Sequence, residues 1–175
     1  GNGIRVAGYS TPHIYHNTLV ANHPESGTGL YIGSDSTPTV VNNIVANHDV
    51  GIHCSSAVTI SFGVLSNTAN LSANCISDTN IIADPRLSFE AHLSPDSPAI
   101  DAGMNIGVDN DFDGEPRPLD TGYDIGADEY STGCFARLND DPTIYTSIQM
   151  AVDASTQPAD VVKVAGYCSG VSIRA

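Results

Sequence analysis

The sequence predicts an all-β solenoid, a parallel β-helix, on three observations. Three stretches superpose as a repeat: TPHIYHNTLVANH (11–23), TPTVVNNIVANH (37–48) and VTISFGVLSNT (58–68). Each is preceded by a second matching piece: GIRV (3–6), GLYI (29–32) and GIHC (51–54). Within them, apolar residues alternate over short runs broken by Gly, Asn, Ser and Pro, the punctuation of strands rather than helices. A rung of about 20–26 residues falls in the range of solenoids. A solenoid that adds one parallel strand to each face per turn is a parallel β-helix.

Aligned positions then stack as columns about 4.8 Å apart. Ile4, Leu30 and Ile52 form one apolar column, and Ile14, Val40 and Ile60 another. Leu19 aligns with Ile44 and Val64, and Val20 with Val45 and Leu65. Asn22, Asn47 and Asn67 align as an amide ladder at a turn, where Asn tolerates a left-handed backbone. Gly3, Gly29 and Gly51 recur at a second corner, where a residue without Cβ bends cheaply. Both ladders are expected to be structural, since a solenoid repeats its corners. Arg5, Tyr31 and His53 share one outward strand face; such a column suits a sugar or acidic oligosaccharide, and equally needs no function as a plain strand surface. His23 and His48 follow the aligned asparagines, either as a solvated corner or as two ligands lacking a third.

Composition agrees with this class. Apolar residues make up 41% of the chain, there is no Trp, and the core candidates are Val, Ile and Leu. A net charge of −14 with six basic residues, Lys163 the only lysine, argues against nucleic acid and anionic membranes as partners. No run approaches a membrane-spanning length, so membrane insertion is not expected. The acids are uneven: nine fall between Asp101 and Glu129. The chain opens mid-rung at GNGIRV, as a piece of something longer would.

Three segments follow: rungs over 1–75, an Asp/Gly/Pro-rich segment over 76–132, and a further module over 133–175. The middle segment carries ADPRL (83–87), HLSPDSPAIDAG (92–103), DFDGEPRP (111–118) and DIGADEY (124–130). In that order these stretches resemble the terminal segment of bacterial right-handed parallel β-helix proteins of the pectate-lyase-like superfamily. The resemblance implies a right-handed solenoid, a segment that closes its C-terminal end, and a secreted surface protein. The stretch YTSIQMAVDAS…ADVVKVAGYCSGV resembles the opening of a β-helix in the same superfamily, where a short amphipathic helix plugs the barrel end. Thr146 and Gln149 have capping-box spacing, and Ile148, Ala151 and Val152 give the apolar face. Pro158-Ala159 replaces the usual Gly before the Asp there.

A tail of one β-helix followed by the head of another reads in two ways: a fragment of tandem β-helices, or a chain whose ends at Gly1 and Ala175 complement each other. The complementarity is either within one copy, as a permuted solenoid, or head-to-tail between copies, which builds filaments unless it closes.

For chemistry, Asp109, Asp111, Asp113 and Asp120 fall at positions 1, 3, 5 and 12 of a calcium-loop pattern, with Gly114 at 6. Against it, position 12 lacks the bidentate Glu, and Pro116 and Pro118 bar the following helix. The alternative is a tight turn capped by Asp111 and Asp113, with Arg117 paired to Asp124, Asp128 or Glu129. No cofactor other than calcium is implied. Cys134 and Cys168 bracket the last module and are expected to pair; Cys54 faces inward, where a plain core residue suffices, and the pairing of Cys54 and Cys75 stays open. Catalytic residues are not expected. The only Asp-Asp, Asp140-Asp141, lies outside the rungs, and His-Gly and Arg-x-Lys signatures are lacking. The expected function is an extracellular or cell-surface structural or adhesive protein, a self-assembling unit of a layer or filament. The alternative is a polysaccharide-binding or polysaccharide-cleaving β-helix seen without its catalytic rungs.

Overall fold

The computed structural model describes residues 2–23, 27–88, 91–119, 121–139, 141 and 143–166. The chain divides into two compact units, Gly1–Glu129 and Tyr130–Ala175.

Among the described residues, the first unit has twelve short strands in three parallel sheets. One sheet orders β1 (Asn2–Val6), β4 (Thr28–Ile32), β7 (Val50–Cys54) and β10 (Ala69–Leu71). The second orders β2 (His13–Tyr15), β5 (Thr39–Val41), β8 (Val58–Ser61) and β11 (Cys75–Asp78). The third orders β3 (Thr18–Val20), β6 (Ile44–Ala46), β9 (Val64–Ser66) and β12 (Ile81–Ile82). Each strand pairs with the one three steps along the chain, an arrangement compatible with a β-helix-like solenoid. The inward columns meet in one apolar core: Leu30, Ile32 and Ile52 from the first sheet, Ile14, Val40 and Ile60 from the second, Val45 and Leu65 from the third. Leu30, Ile32, Ile52, Val45 and Leu65 are fully buried. Each such burial contributes about 1.5–3 kcal/mol.

The column Ile4–Leu30–Ile52 is found in register, as is Ile14–Val40–Ile60. The first rung of the third sheet differs from expectation by one residue: Thr18, not Leu19, stands beside Ile44, and Leu19 stands beside Val45. A one-residue slip exchanges inward and outward faces. The extra residue of the first rung is therefore absorbed after β3, and Asn22 does not align with Asn47.

The amide ladder lies instead at the corner between the second and third sheets. His16, Asn42, Phe62 and Thr79 all take left-handed backbone there, with φ of 49°, 57°, 50° and 54°. The residues that follow them are Asn17, Asn43, Gly63 and Asn80. Asn17 Nδ2 donates to Asn43 Oδ1 (2.9 Å), and Asn43 Nδ2 to the Ile14 carbonyl (2.8 Å). Asn80 Oδ1 accepts from Gly63 N (2.7 Å).

Gly3, Gly29 and Gly51 are also not corner residues. They lie within strands, and space is what demands glycine: a Cβ on Gly29 would sit 2.6 Å from Val45 Cγ1 and 2.7 Å from the Gly51 carbonyl oxygen.

Cys54 is not a plain core residue, since it forms a disulfide with Cys75. The bond ties the end of β7 to the start of β11 inside the core. Closing a loop of this length restricts the unfolded chain by about 3 kcal/mol on the chain-entropy account. The double variant Cys54→Ala/Cys75→Ala should lose roughly that much stability in denaturant titrations, and added reductant should destabilise the parent by more than the variant, which keeps the Cys134 disulfide. Cys134 is disulfide-bonded too; its expected partner Cys168 lies outside the described residues, as do the Gly1 and Ala175 ends.

In the second unit, β13 (Cys134–Leu138) pairs antiparallel with β14 (Val162–Gly166). Between them lies α1 (Ile148–Ala154), on which Ala151 is fully buried. The N-cap is Ser147 rather than Thr146: the helix starts one residue later, and Ser147 Oγ accepts from Met150 N at 3.2 Å. The turn at Pro158-Ala159 needs no glycine because Asp160 Oδ2 gathers the N–H groups of Thr156 and Gln157, each at 2.9 Å. A hydrogen bond from Asn139, then those backbone donors, hold the Asp160 carboxyl down at about 2. No helix among the described residues is long and apolar enough to cross a membrane.

Candidate functional site

Two places in the first unit bring functional side chains together: an outward column on the first sheet and an acidic cluster in the closing segment.

The register that builds the apolar column also sets Arg5 beside Tyr31 and Tyr31 beside His53 on the opposite face. The Tyr31 and His53 rings stack nearly parallel, 8° apart with centroids at 5.0 Å. The Arg5 guanidinium lies 5.5 Å from the Tyr31 ring centre, and Ser55 Oγ donates to the Tyr31 hydroxyl at 3.3 Å. Arg5 is exposed, and the two rings are half-buried. Flat, partly exposed π-faces flanked by a guanidinium can take a sugar ring or a carboxylate.

His23 and His48 are not brought into a common site. His23 is exposed, whereas His48 is buried, with neither ring nitrogen hydrogen-bonded. The expectation of a solvated corner fails at His48 because it tucks against Gly29, where a Cβ would lie 2.8 Å from its Cδ2.

The closing segment begins in the last rung, where β11 and β12 pair with β8 and β9. Its residues 104 and 125–127 dock on the flank of the first two rungs. The Asn42 amide accepts from Met104 N (3.0 Å) and donates to Met104 O (2.7 Å). Gly126 N donates to the Asn42 carbonyl (3.0 Å), and Ala127 N to Thr18 Oγ1 (3.0 Å). A Cβ on Gly126 would lie 2.6 Å from Ile44 Cδ1, which explains why Ile44 is fully buried while outside the main core cluster.

Under this dock lies a buried ion pair. Arg117 Nη1 donates to Glu129 Oε2 at 2.7 Å, and Nη2 donates to the carbonyls of Gly126 (2.9 Å) and Ala127 (2.6 Å). Of the three acids considered for Arg117, Glu129 meets it through its carboxylate, and Nη1 also donates to the Asp124 backbone carbonyl at 3.3 Å. The Asp124 carboxylate instead accepts from Asp101 N (2.7 Å), and Asp128 from Leu93 N (2.7 Å). Burial raises the Glu129 carboxyl, while the Asp124 N–H, Arg117 and the Leu119 N–H oppose the shift.

Beside the ion pair, the turn at 111–115 projects carboxylates to one point. Asp111 Oδ1 accepts from Asp113 N (3.0 Å) and Glu115 N (2.7 Å), and its Oδ2 from Glu129 N (3.1 Å). Gly114, at φ 87°, supplies the left-handed step that lets the chain double back. Carboxylate oxygens of Asp111, Asp113, Glu115 and Asp128 all lie within 4.8 Å of one another, and His92 joins Asp113 and Asp128 within the same limit. His92 Nε2 lies 2.8 Å from Asp113 Oδ2. Burial and then the charges of Asp111, Asp128 and Asp113 push Glu115 up to about 8, against a smaller opposing effect of His92. Burial likewise raises Asp111 and Asp128.

Of the four residues expected to hold calcium, Asp111 and Asp113 join this cluster. Asp109 does not; it is exposed and contributes its backbone carbonyl to Arg117 N at 2.8 Å. Asp120 lies outside the described residues. Glu115, Asp128 and His92 were missed, because His92 and Asp128 come from stretches distant in sequence. Glu115 stands at position 7 of the calcium-loop pattern, which is normally read for its carbonyl.

No family model matches the chain, and no curated protein or solved structure is found to match it.

Proposed function

We propose that this chain is an extracellular or cell-surface structural module, a right-handed parallel β-helix of the pectate-lyase-like kind, that assembles by end-to-end stacking of rungs with further copies. What carries this reading is the state of the two ends of the three-sheet stack. The strands β1, β2 and β3 on one side, and β10, β11 and β12 on the other, each have a neighbour on one edge only in the described sheets. The core columns end there in residues only partly covered: Ile4 and Leu19 on one side, Leu71 and Cys75 on the other. Ile76 and Ile82 on the outer strands are 52% and 63% exposed. Unpaired edges backed by apolar columns are templates for more strands, and a heterologous contact of this kind propagates. The Cys54–Cys75 disulfide favours an oxidising compartment.

Light scattering with negative-stain microscopy tests the reading. Long unbranched particles with an axial repeat are expected, and a compact monomer at all concentrations sinks it.

The stacked Tyr31–His53 pair with Arg5 favours a second reading, binding of a polysaccharide along the first sheet. There, Tyr31→Ala should abolish retardation in gels containing a neutral polysaccharide without changing the melting temperature of the core by more than a few degrees. Equal retardation of variant and parent excludes the column as the binding surface.

A further inference from the structure

We propose that the carboxylates of Asp111, Asp113, Glu115 and Asp128 form a binding site for one hard divalent cation, Ca²⁺, with His92 at its rim. The proximity of four acids alone would not establish this, since exposed carboxylates often gather without an ion. The deciding group is Glu115. It is only 6% exposed, and its Oε1 is fully shielded from solvent without a hydrogen-bond donor. The neighbouring buried acids all have donors: Asp124 from Asp101 N, Asp128 from Leu93 N, and Glu129 from Arg117, Asp124 N and Leu119 N. A buried carboxylate oxygen left unpaired, beside buried acids that all have donors, calls for a missing partner. That partner must suit an oxygen of Glu115 lying within 4.8 Å of oxygens from three other carboxylates. A water molecule brings two protons and no charge, so it leaves the mutual repulsion in place. A divalent cation answers all four oxygens at once.

The donor set and its size choose the ion. Calcium binds six to eight oxygens at about 2.3–2.6 Å in flexible geometry, so oxygens on opposite sides of it stand about 4.6–5.2 Å apart. Magnesium, at about 2.0–2.1 Å, needs a tighter octahedron and keeps its waters. Four carboxylates without a cysteine are also a poor set for zinc.

The ligands come from three segments, around residues 92, 111–115 and 128. A bound ion would fasten these segments together, next to the Glu129–Arg117 pair. Its role is to lock the closing segment to itself, so binding should appear as stability.

The test is calcium titration of the chelator-stripped protein by calorimetry, with melting temperature read in parallel. One ion should bind per chain, and the melting temperature should rise with Ca²⁺. Glu115→Gln, which keeps the shape and removes the carboxylate that would ligate the ion, should weaken Ca²⁺ binding by at least about tenfold, the loss that even an outer-shell partner's removal causes. In calcium-free buffer it should melt no lower than the parent. Asp109→Asn should bind as the parent does. Absence of binding or thermal shift at millimolar Ca²⁺ would overturn the site. So would equal losses in Asp109→Asn and Glu115→Gln, which would return the ion to a loop of the other spacing. Tighter binding of Mg²⁺ or Zn²⁺ than of Ca²⁺ would overturn the choice of ion.

Discussion

Replacing Arg117 by Met is expected to cost about 3–5 kcal/mol of stability, the range for breaking a buried pair from one side. The guanidinium and the Glu129 carboxylate are both essentially inaccessible, at 0% and 1% side-chain exposure. The charge on Glu129 is tolerable there because Arg117 faces it, and because the N–H groups of Leu119 and Asp124 also reach it, each at 3.1 Å. With Met at position 117, those two donors remain while the counter-charge goes, so Glu129 must take up a proton. The carbonyls of Asp124, Gly126 and Ala127 lose their donor in the same step.

Lysine should not rescue the site, because a single ammonium cannot reach a carboxylate and three carbonyls with a planar fork. The double variant Arg117→Met/Glu129→Gln should cost clearly less than the sum of its singles, since neither charge is then stranded. Urea titration of the four proteins gives the cycle. A single-variant cost below about 1 kcal/mol, or strict additivity, would contradict a buried and coupled pair.

The same residues show what a sequence can disclose here. The rungs were readable because solenoid columns are written as repeats: every third strand must place an apolar residue over the last one, and Leu30 and Ile52 obey. The corner was harder. Its four left-handed positions are filled by His16, Asn42, Phe62 and Thr79, which share a backbone conformation and no side-chain chemistry. The common signal was the Asn, or Gly63, immediately after each of them, and a one-residue misalignment of the first rung concealed it. Cys54 looked like any inward apolar residue, and Cys75 gave no alternation to place it. For the acidic cluster, the two aspartates adjacent along the turn were legible. Asp128 and His92 became neighbours of that turn only through tertiary folding, which local spacing does not record.

His16 makes this corner sensitive to acid, and the sign follows from its surroundings. Its ring is buried, and Nε2 lies 3.0 Å from Asn42 Nδ2. The reciprocal bonds between Asn42 and the Met104 backbone fix which end of that amide is nitrogen. Nε2 must therefore accept, which places the ring proton on Nδ1 and leaves no room for a second. Burial, and then the charge of Arg117, lower the pKa from 6.5 to about 4, while the Gly126 and Asp124 carbonyls oppose this without closing a hydrogen bond to Nδ1. Between those values the unfolded chain holds a proton that the folded chain refuses. The contribution of His16 is thus complete above pH 6.5 and is lost as pH falls towards 4, by about 3 kcal/mol in total. The raised carboxylates act in the opposite sense. Glu115 favours the folded state below its unfolded value, and that contribution fades as pH rises towards about 8.

A single pH profile of the parent mixes these effects, so the comparison must be with His16→Asn, which keeps a residue tolerant of φ 49° and removes the titration. Near pH 7.5 the variant should be the less stable protein, having lost the acceptor for Asn42. As the pH drops below 6.5 the difference should shrink and then reverse. Parallel profiles from pH 7.5 to 4 would mean that His16 is not held neutral, and that the docked closing segment opens to let it charge.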